Sequence, residues 1–216
     1  MGSGAKTAEP RRSLPRLYLV APAQFSGAAH VLDEALSAAD IAAVLLRLPD
    51  GDARTKFNRV KAVAPSVQRR GTALVLDGHP ELALEVQADG THVEGVTALN
   101  TALAKLKPGR IVGCGALGTR HDAMVAGEAG VDYVMFGEPD GPGRRRSFAA
   151  VSQRVAWWTE LFEVPCVGFA VSLDEVSPLA AAGADFVAVG DFIFADRRGC
   201  GAALAEAARS IAERAA

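Results

Sequence analysis

Short apolar runs alternate with longer stretches of helical length along most of this chain. The apolar runs are continuous rather than alternating, which is typical of parallel strands that are covered on both faces. They fall at 17–20, 43–46, 73–76, 91–93, 111–114, 133–137, 166–169 and 186–190. The intervening stretches cover 28–38, 53–68, 80–86, 97–106, 120–129, 148–162, 172–182 and 201–215. Strict alternation of strand and helix predicts parallel strands joined by helical crossovers.

An aspartate recurs at every second predicted strand. Asp40, Asp89, Asp132 and Asp185 each end a helical stretch and open an apolar run. Eight strand–helix units fit the length of the chain, since such barrels need about 200 residues or more. A doubly wound open sheet is the alternative, but it usually has fewer strands and would not explain the repeat. We therefore predict an α/β protein with a single-domain (β/α)8 TIM barrel over 16–216, after a flexible polar tail over 1–15.

Composition and charge narrow the functional classes. Half of the residues are hydrophobic and the net charge is -2, which gives no electrostatic case for binding nucleic acid or an anionic membrane. No apolar run approaches the roughly 20 residues of a membrane span, and residues 1–15 lack the apolar segment of a secretory signal. The three cysteines are widely spaced and odd in number, which favours a reducing compartment. We expect a cytoplasmic protein that acts on a small molecule and that could form a homodimer.

The barrel topology itself selects candidate site residues, because active sites of such barrels lie at the C-terminal ends of the strands. The candidates are Arg47, Asp77, His79, Glu94, Gly113, Gly115, Glu138, Ala170, Ser172, Gly190 and Asp191. The loops after strands seven and eight often hold phosphate on backbone N–H groups, so the last four are candidate phosphate-binding residues. For Ser172 the alternative is an N-cap, with Glu175 completing a capping box. Asp191 would repel a phosphate.

Arginines supply the candidate cations. The loop 141–146 ends in three of them, Arg144, Arg145 and Arg146, which could close over a polyanion such as pyrophosphate. The alternative is a solvated basic loop. Arg47 ends a buried strand, where a charge is costly unless it is paired. It therefore either binds a ligand or pairs with Glu94 or Asp77. The four histidines show no spacing typical of a zinc site.

Several stretches resemble the thiamine phosphate synthase family and its close relative, the thiazole tautomerase. The most specific stretch, 126–137, is similar to the family's E-A-G-A-D-Y-x-x-x-G. Residues 88–93 resemble A-D-G-V-H-L, 182–189 resemble A-G-A-D-G-V-A-V, and 17–20 resemble L-Y-x-V. The resemblance runs from about Leu17 to Ala195. It implies a barrel of thiamine biosynthesis that binds a phosphorylated thiazole or pyrimidine at its C-terminal face.

The family's synthase joins a pyrimidine diphosphate to a thiazole phosphate, with magnesium on the diphosphate. Its magnesium-binding N-D-R motif aligns with Asp77-Gly78-His79, and its second magnesium carboxylate falls near Thr97. Both carboxylate positions are therefore lost, although magnesium stays possible as a cofactor. Its Q-x-R-x-K motif keeps only Arg47. Its P-T-x-T-K segment aligns with 142–146, its G-G-I with 170–172, and its serine after strand five falls near Gly115.

The tautomerase also has glycine at the position of Gly78, and its proposed acid–base histidine aligns with Glu138. A carboxyl group can transfer protons if its pKa suits the working pH. The resemblance thus implies Glu138, Asp77 and Arg47 as catalytic candidates. It leaves three hypotheses for function: a synthase-like transferase, a tautomerase-like isomerase, and a catalytically silent barrel that binds a phosphorylated ligand.

Overall fold

Eight parallel strands close into a barrel in the computed structural model, which describes residues 14–23, 29–139 and 143–213. The strands are β1 (Arg16–Ala21), β2 (Ile41–Leu46), β3 (Ala73–Asp77), β4 (Gly90–Glu94), β5 (Ile111–Gly115), β6 (Tyr133–Phe136), β7 (Cys166–Phe169) and β8 (Phe186–Val189). Each strand pairs with its neighbours in chain order, and β8 closes on β1 with Val187 opposite Leu17. The predicted TIM barrel is confirmed.

Helices follow the strands on the outside of the barrel. They are α1 (Ala29–Ala38), α2 (Ala53–Gln68), α3 (Pro80–Glu85), α4 (Gly95–Leu106), α5 (Arg120–Glu128), α6 (Phe148–Leu161), α7 (Leu173–Ala181), α8 (Asp191–Phe194) and α9 (Cys200–Ala212). The short α8 was missed, because four residues are too few to show a helical period. Residues 1–13 of the predicted tail and 214–215 of the predicted last helix lie outside the described residues. No helix in the described part of the chain is long and apolar enough to cross a membrane.

Two apolar layers explain why the strand sequences are continuous rather than alternating. One layer fills the barrel interior with alternate strand residues, including Tyr18, Leu45, Val75, Tyr133 and Phe169. The other layer packs the outward-facing strand residues against the helices. Each strand is therefore covered on both faces, as the sequence predicted.

The recurring aspartates fasten the N-terminal ends of neighbouring strands. The Asp185 carboxylate accepts from the Cys166 N–H (2.8 Å), and the Asp185 N–H donates to the Cys166 carbonyl (3.0 Å). Asp132 makes the same two bonds with Val112, and Asp89 makes them with Leu74. Asp40 differs, because it binds the guanidinium of Arg16. The repeat at every second strand thus joins β1, β3, β5 and β7 to the strand that follows each of them.

This difference predicts unequal losses of stability. We expect Asp185→Ala to lower the free energy of unfolding by about 1–3 kcal/mol, because the Cys166 N–H loses its acceptor. We expect Asp40→Ala to cost about 1 kcal/mol or less, because its ion pair is largely exposed. Urea unfolding of the two variants measures both values. Equal losses would show that the backbone clasp adds nothing beyond a surface ion pair.

Candidate active site

A cavity of about 430 Å³ opens at the C-terminal ends of β4, β5 and β6. Its described wall consists of Glu94, Ala116, Leu117, Gly118, Met135, Phe136, Gly137, Glu138, Pro139, Arg144, Arg145, Arg146, Ala150, Val151 and Arg154. A larger groove of about 850 Å³ lies at the opposite end of the barrel, beside Arg16 and Phe186 at the starts of β1 and β8. Of these two, the first lies at the C-terminal ends of the strands, so it is the candidate active site.

A buried ion pair lies at the inner side of this cavity. Glu138, which follows β6, is 7% exposed, and His92 on β4 is fully buried beside it. Nε2 of His92 lies 3.3 Å from Oε1 of Glu138, without a well-aligned hydrogen bond. Burial alone would raise the pKa of Glu138, but His92, the N–H of Ala116 and Arg47 together lower it. Glu138 is therefore a carboxylate at neutral pH.

His92 takes the complementary charge. Burial alone would lower its pKa, but the attraction of Glu138, and more weakly of Asp77 and Glu94, raises it above the ordinary value. His92 is packed inside the barrel, with no exposed surface. The structure adds that this packed residue holds a carboxylate at the cavity wall.

Two tyrosines continue the polar contacts into the barrel interior. Nδ1 of His92 lies 2.9 Å from the hydroxyl of Tyr133 on β6. That hydroxyl lies 2.7 Å from the hydroxyl of Tyr18 on β1. Burial raises the pKa of both phenols, so both stay neutral. A chain of four side chains thus runs from Tyr18 through Tyr133 and His92 to Glu138.

Gly115 at the end of β5 makes room for the side chains of Glu138 and His92. A Cβ built on Gly115 would lie 1.8 Å from Oε2 of Glu138 and 2.5 Å from Nε2 of His92. The next residue, Ala116, has a φ of 51° and donates its N–H to Oε2 of Glu138 (3.2 Å). Gly115 is a candidate site residue from the sequence, and in the structure it lies against the carboxylate of Glu138.

Arg47 and Asp77 lie together on the same end of the barrel. Nε of Arg47 is 3.3 Å from Oδ2 of Asp77, and both side chains are partly buried. This is one of the two pairings that the sequence left open for Arg47. The charge of Arg47 also helps to lower the pKa of Glu138. Neither Arg47 nor Asp77 belongs to the described wall of the cavity.

The three loop arginines differ in their surroundings. Nη1 of Arg145 contacts both carboxylate oxygens of Glu175 on α7 (3.0 and 2.7 Å), and its Nε has no acceptor among the described residues. Arg146 donates to the carbonyl of Gly118 (2.7 Å). Arg144 is exposed and lines the cavity with the other two. Gly141 and Pro142, which begin the predicted loop, lie outside the described residues.

Arg154 on α6 is a fourth cation in the cavity wall, and it was not among the sequence candidates. It donates to the carbonyls of Leu117 (2.6 Å) and Gly118 (3.2 Å). Burial and the nearby charges of Arg146 and Arg120 lower its pKa, which marks an excess of positive charge. The helical position of Arg154 carries no sequence signal, because the residue lies far from any strand end. The excess cationic charge makes this side of the cavity suited to an anion.

The loops after β7 and β8 contain the other candidate phosphate-binding residues of the sequence. Ser172 is the N-cap residue of α7, but its side chain makes no capping bond, and Glu175 accepts instead from the N–H of Val171 (2.9 Å). The predicted capping box is therefore wrong, because Arg145 draws the Glu175 carboxylate away from Ser172. Ala170 is buried, Gly190 precedes α8, and Asp191 is its exposed first residue.

The family resemblance implies a magnesium ion, so the residues aligned with the two magnesium carboxylates must be tested as possible ligands. Gly78 has no side chain, and Thr97 is an exposed alcohol on α4. The carboxylate of Asp77 faces Arg47. Within the described ranges, no group of three or more His, Cys, Asp and Glu residues could hold a metal ion. Magnesium usually takes one or two carboxylates together with substrate phosphates. These residues do not fit a site of that kind, and we assign no chemical step to a metal.

Comparison with known proteins agrees with this architecture. The family described as thiamine monophosphate synthase matches residues 17–193. The thiamine-phosphate synthase of Rhodospirillum centenum is 39% identical over 197 residues, which cover 88% of this chain and 95% of that protein. The one from Hyphomonas neptunium is 34% identical over 209 residues, covering 92% and 94%. A solved thiamine phosphate pyrophosphorylase from Pyrococcus furiosus superposes with a TM-score of 0.79 at 19% identity, covering 94% and 98%, a likeness of fold.

Proposed function

This chain belongs to the thiamine monophosphate synthase family, and we propose that it binds a phosphorylated heterocycle of thiamine biosynthesis in the cavity beside Glu138. One observation carries the proposal: a buried carboxylate and several arginines line the same cavity of about 430 Å³. The arginines suit a phosphate, because their planar forks pair with two oxygens. Arg144 and Arg146 are the proposed phosphate-binding pair, with Arg47 at the neighbouring strand end. The carboxylate then faces the ring.

We further propose that Glu138 transfers a proton. It is ionised because His92 balances its charge, so it can accept a proton from one atom of the bound ring. Its conjugate acid is strong, because its pKa is lowered, and it returns the proton readily to a second atom. The sum of these two steps is an isomerisation in which no group is lost or gained. Asp77 is the second candidate for this role, although its contact with Arg47 ties it to a neighbouring cation.

A second candidate function is the synthase reaction itself, the coupling of a pyrimidine diphosphate to a thiazole phosphate. The names of the relatives in Rhodospirillum centenum and Hyphomonas neptunium favour it. The absence of carboxylates at Gly78 and Thr97 speaks against its magnesium-dependent form. The two candidates share the cavity and the anionic ligand, and they differ in whether magnesium and Glu138 matter.

Binding of a phosphate group predicts that the loop arginines set ligand affinity. We expect Arg144→Ala combined with Arg146→Ala to weaken binding of thiazole phosphate about a hundredfold or more, since each charged hydrogen bond contributes about 1.5–3 kcal/mol. The loss should shrink at high salt, where exposed charges are screened. Calorimetric titration at low and high salt measures it.

Arg198→Ala is the matched control for that experiment. Arg198 is an exposed arginine that pairs with Asp196 and Glu206, outside the described wall of the cavity. Its removal changes the net charge by one unit without touching the site, so affinity should be unchanged. Equal affinity in the double variant and the wild type would show that the loop is only a solvated basic surface.

Two further expectations remain predictions of the proposal. The sequence indicates a cytoplasmic protein, and its helix α6 carries a partly exposed Trp157 that could lie at a homodimer contact. Light scattering of the purified protein measures whether it forms a homodimer.

A further inference from the structure

The buried polar chain of Tyr18, Tyr133, His92 and Glu138 can order its hydrogen bonds in one direction, and the proposed function makes no use of that order. Its four groups are buried, and consecutive partners lie 2.7, 2.9 and 3.3 Å apart. A buried histidine between two polar partners is constrained, because the hydrogen bond at one ring nitrogen decides the protonation of the other. The identity of the partner at Nδ1 therefore affects what Nε2 can do for Glu138.

We propose that Tyr133 is a positioning residue, whose hydroxyl oxygen accepts from Nδ1–H of His92 so that Nε2 is the nitrogen that exchanges a proton with Glu138. This inference rests on the proposed proton transfer at Glu138. The Tyr133 O–H in turn donates to the oxygen of Tyr18. His92 and Glu138 then share one exchangeable proton, which lies either on Nε2 of His92 or on the carboxylate of Glu138, while the Nδ1 proton stays in place.

The surroundings of His92 support this direction of the chain. The charged groups that act on the imidazole are Glu138, Asp77 and Glu94, and all three are carboxylates that favour a protonated ring. A protonated imidazole has donors on both nitrogens, so its Nδ1–H requires an acceptor. The Tyr133 hydroxyl, 2.9 Å away, supplies one.

The rings are also held in place by packing. The rings of His92 and Tyr133 stack with their centroids 5.6 Å apart and an interplanar angle of 17°. A Cβ built on Gly113 would lie 2.0–2.4 Å from atoms of the Tyr133 ring, so the absence of a side chain there lets the tyrosine reach His92. Replacing Tyr133 by phenylalanine keeps this stacking and removes only the hydroxyl.

Nitrogen-15 NMR of the His92 imidazole tests the proposal without any assay of activity. In the wild-type protein at pH 6.5 we expect both ring nitrogens to be largely protonated, with Nδ1–H donated to Tyr133, because the pKa of His92 is raised. In Tyr133→Phe we expect the pKa of His92 to fall, because Nδ1–H has lost its acceptor, so that at the same pH the ring is largely neutral and protonated at Nε2. Tyr18→Phe, which keeps the Tyr133–His92 contact, should retain the wild-type form. His92→Asn identifies the signals.

The kinetic counterpart separates positioning from simple packing. If Glu138 transfers a proton to the bound ring, Tyr133→Phe should lower kcat roughly tenfold or more with little change in KM, and should move the pH profile. An unprotonated Nδ1 in the wild type, or an unchanged ring in Tyr133→Phe, overturns the role of Tyr133. The wild-type spectrum decides this even if the variant does not fold. An inactive protein with the expected spectra would overturn the proposed function and leave the positioning intact.

Discussion

Replacing Gly115 by alanine should disable the site while leaving the barrel folded. The new Cβ would lie 1.8 Å from Oε2 of Glu138, so the carboxylate must swing away from His92. The Ala116 N–H would lose its acceptor at the same time. Overpacking of this kind costs about 1–3 kcal/mol of the free energy of unfolding. If proton transfer depends on Glu138, its rate should fall roughly a hundredfold or more.

Gly109→Ala is the control for that substitution, because it adds the same methyl group on the other side of β5, outside the described wall of the cavity. A Cβ on Gly109 would meet no atom within 4 Å. Thermal unfolding, ligand titration and activity should therefore stay near the wild-type values. If Gly115→Ala behaved like Gly109→Ala in all three measurements, the close packing of Gly115 against Glu138 would have no bearing on function.

The fold was predictable from the sequence because its strongest signals are periodic and local. Strands covered on both faces require continuous apolar runs, and each crossover requires a helix of its own. The aspartate repeat pointed to a closed barrel before its cause was visible. The structure shows the cause: Asp89, Asp132 and Asp185 each clasp the backbone of the preceding strand.

The site was only partly predictable, because its key contacts join residues that are distant in sequence. Glu138 and Arg47 were found from their places at strand ends. Tyr133 resembles an ordinary core residue, since a buried tyrosine in an apolar run carries no sign of its partner. Arg154 lies in the second turn of a helix, a position that the strand-end rule does not reach. Such residues become visible only when the strands are side by side.

The contact between Arg145 and Glu175 shows the same limit. The sequence offered Arg145 as a ligand for phosphate and Glu175 as part of a helix cap. The structure joins them: Nη1 of Arg145 contacts both oxygens of Glu175, and this ion pair connects the loop before α6 to the start of α7. Since both side chains are largely buried, the pair holds two loops of the active face together. Arg144 and Arg146 differ from Arg145 in being exposed in the cavity wall, where a ligand can reach them.

Replacing Glu138 by glutamine should stop proton transfer while leaving the cavity its shape. Glutamine has nearly the same size but cannot accept a proton, so we expect kcat to fall by about 100- to 10,000-fold. His92 reports on the same change. Burial lowers its pKa and Glu138 raises it, so without the carboxylate the pKa should fall below the ordinary value, and the imidazole should be neutral at pH 7.

The ion pair also predicts a pH window, and the signs follow from the two shifts. The pKa of Glu138 is lowered, so its contribution to stability is complete above its ordinary value of 4.5 and is lost as the pH falls through the folded value. The pKa of His92 is raised, so its contribution is complete below its ordinary value of 6.5 and is lost as the pH rises through the folded value. The excess stability of the wild type over Glu138→Gln should therefore be greatest between these two ordinary values and decline on both sides. Urea unfolding over this pH range measures the difference in stability between the two proteins.

A separate assay tests proton transfer at Glu138 itself. It supplies pyrimidine diphosphate and thiazole phosphate to wild type and Glu138→Gln, with magnesium and then with a chelator. Magnesium-dependent formation of thiamine phosphate that is indifferent to Glu138→Gln would refute proton transfer at Glu138 and establish the synthase reaction in its place.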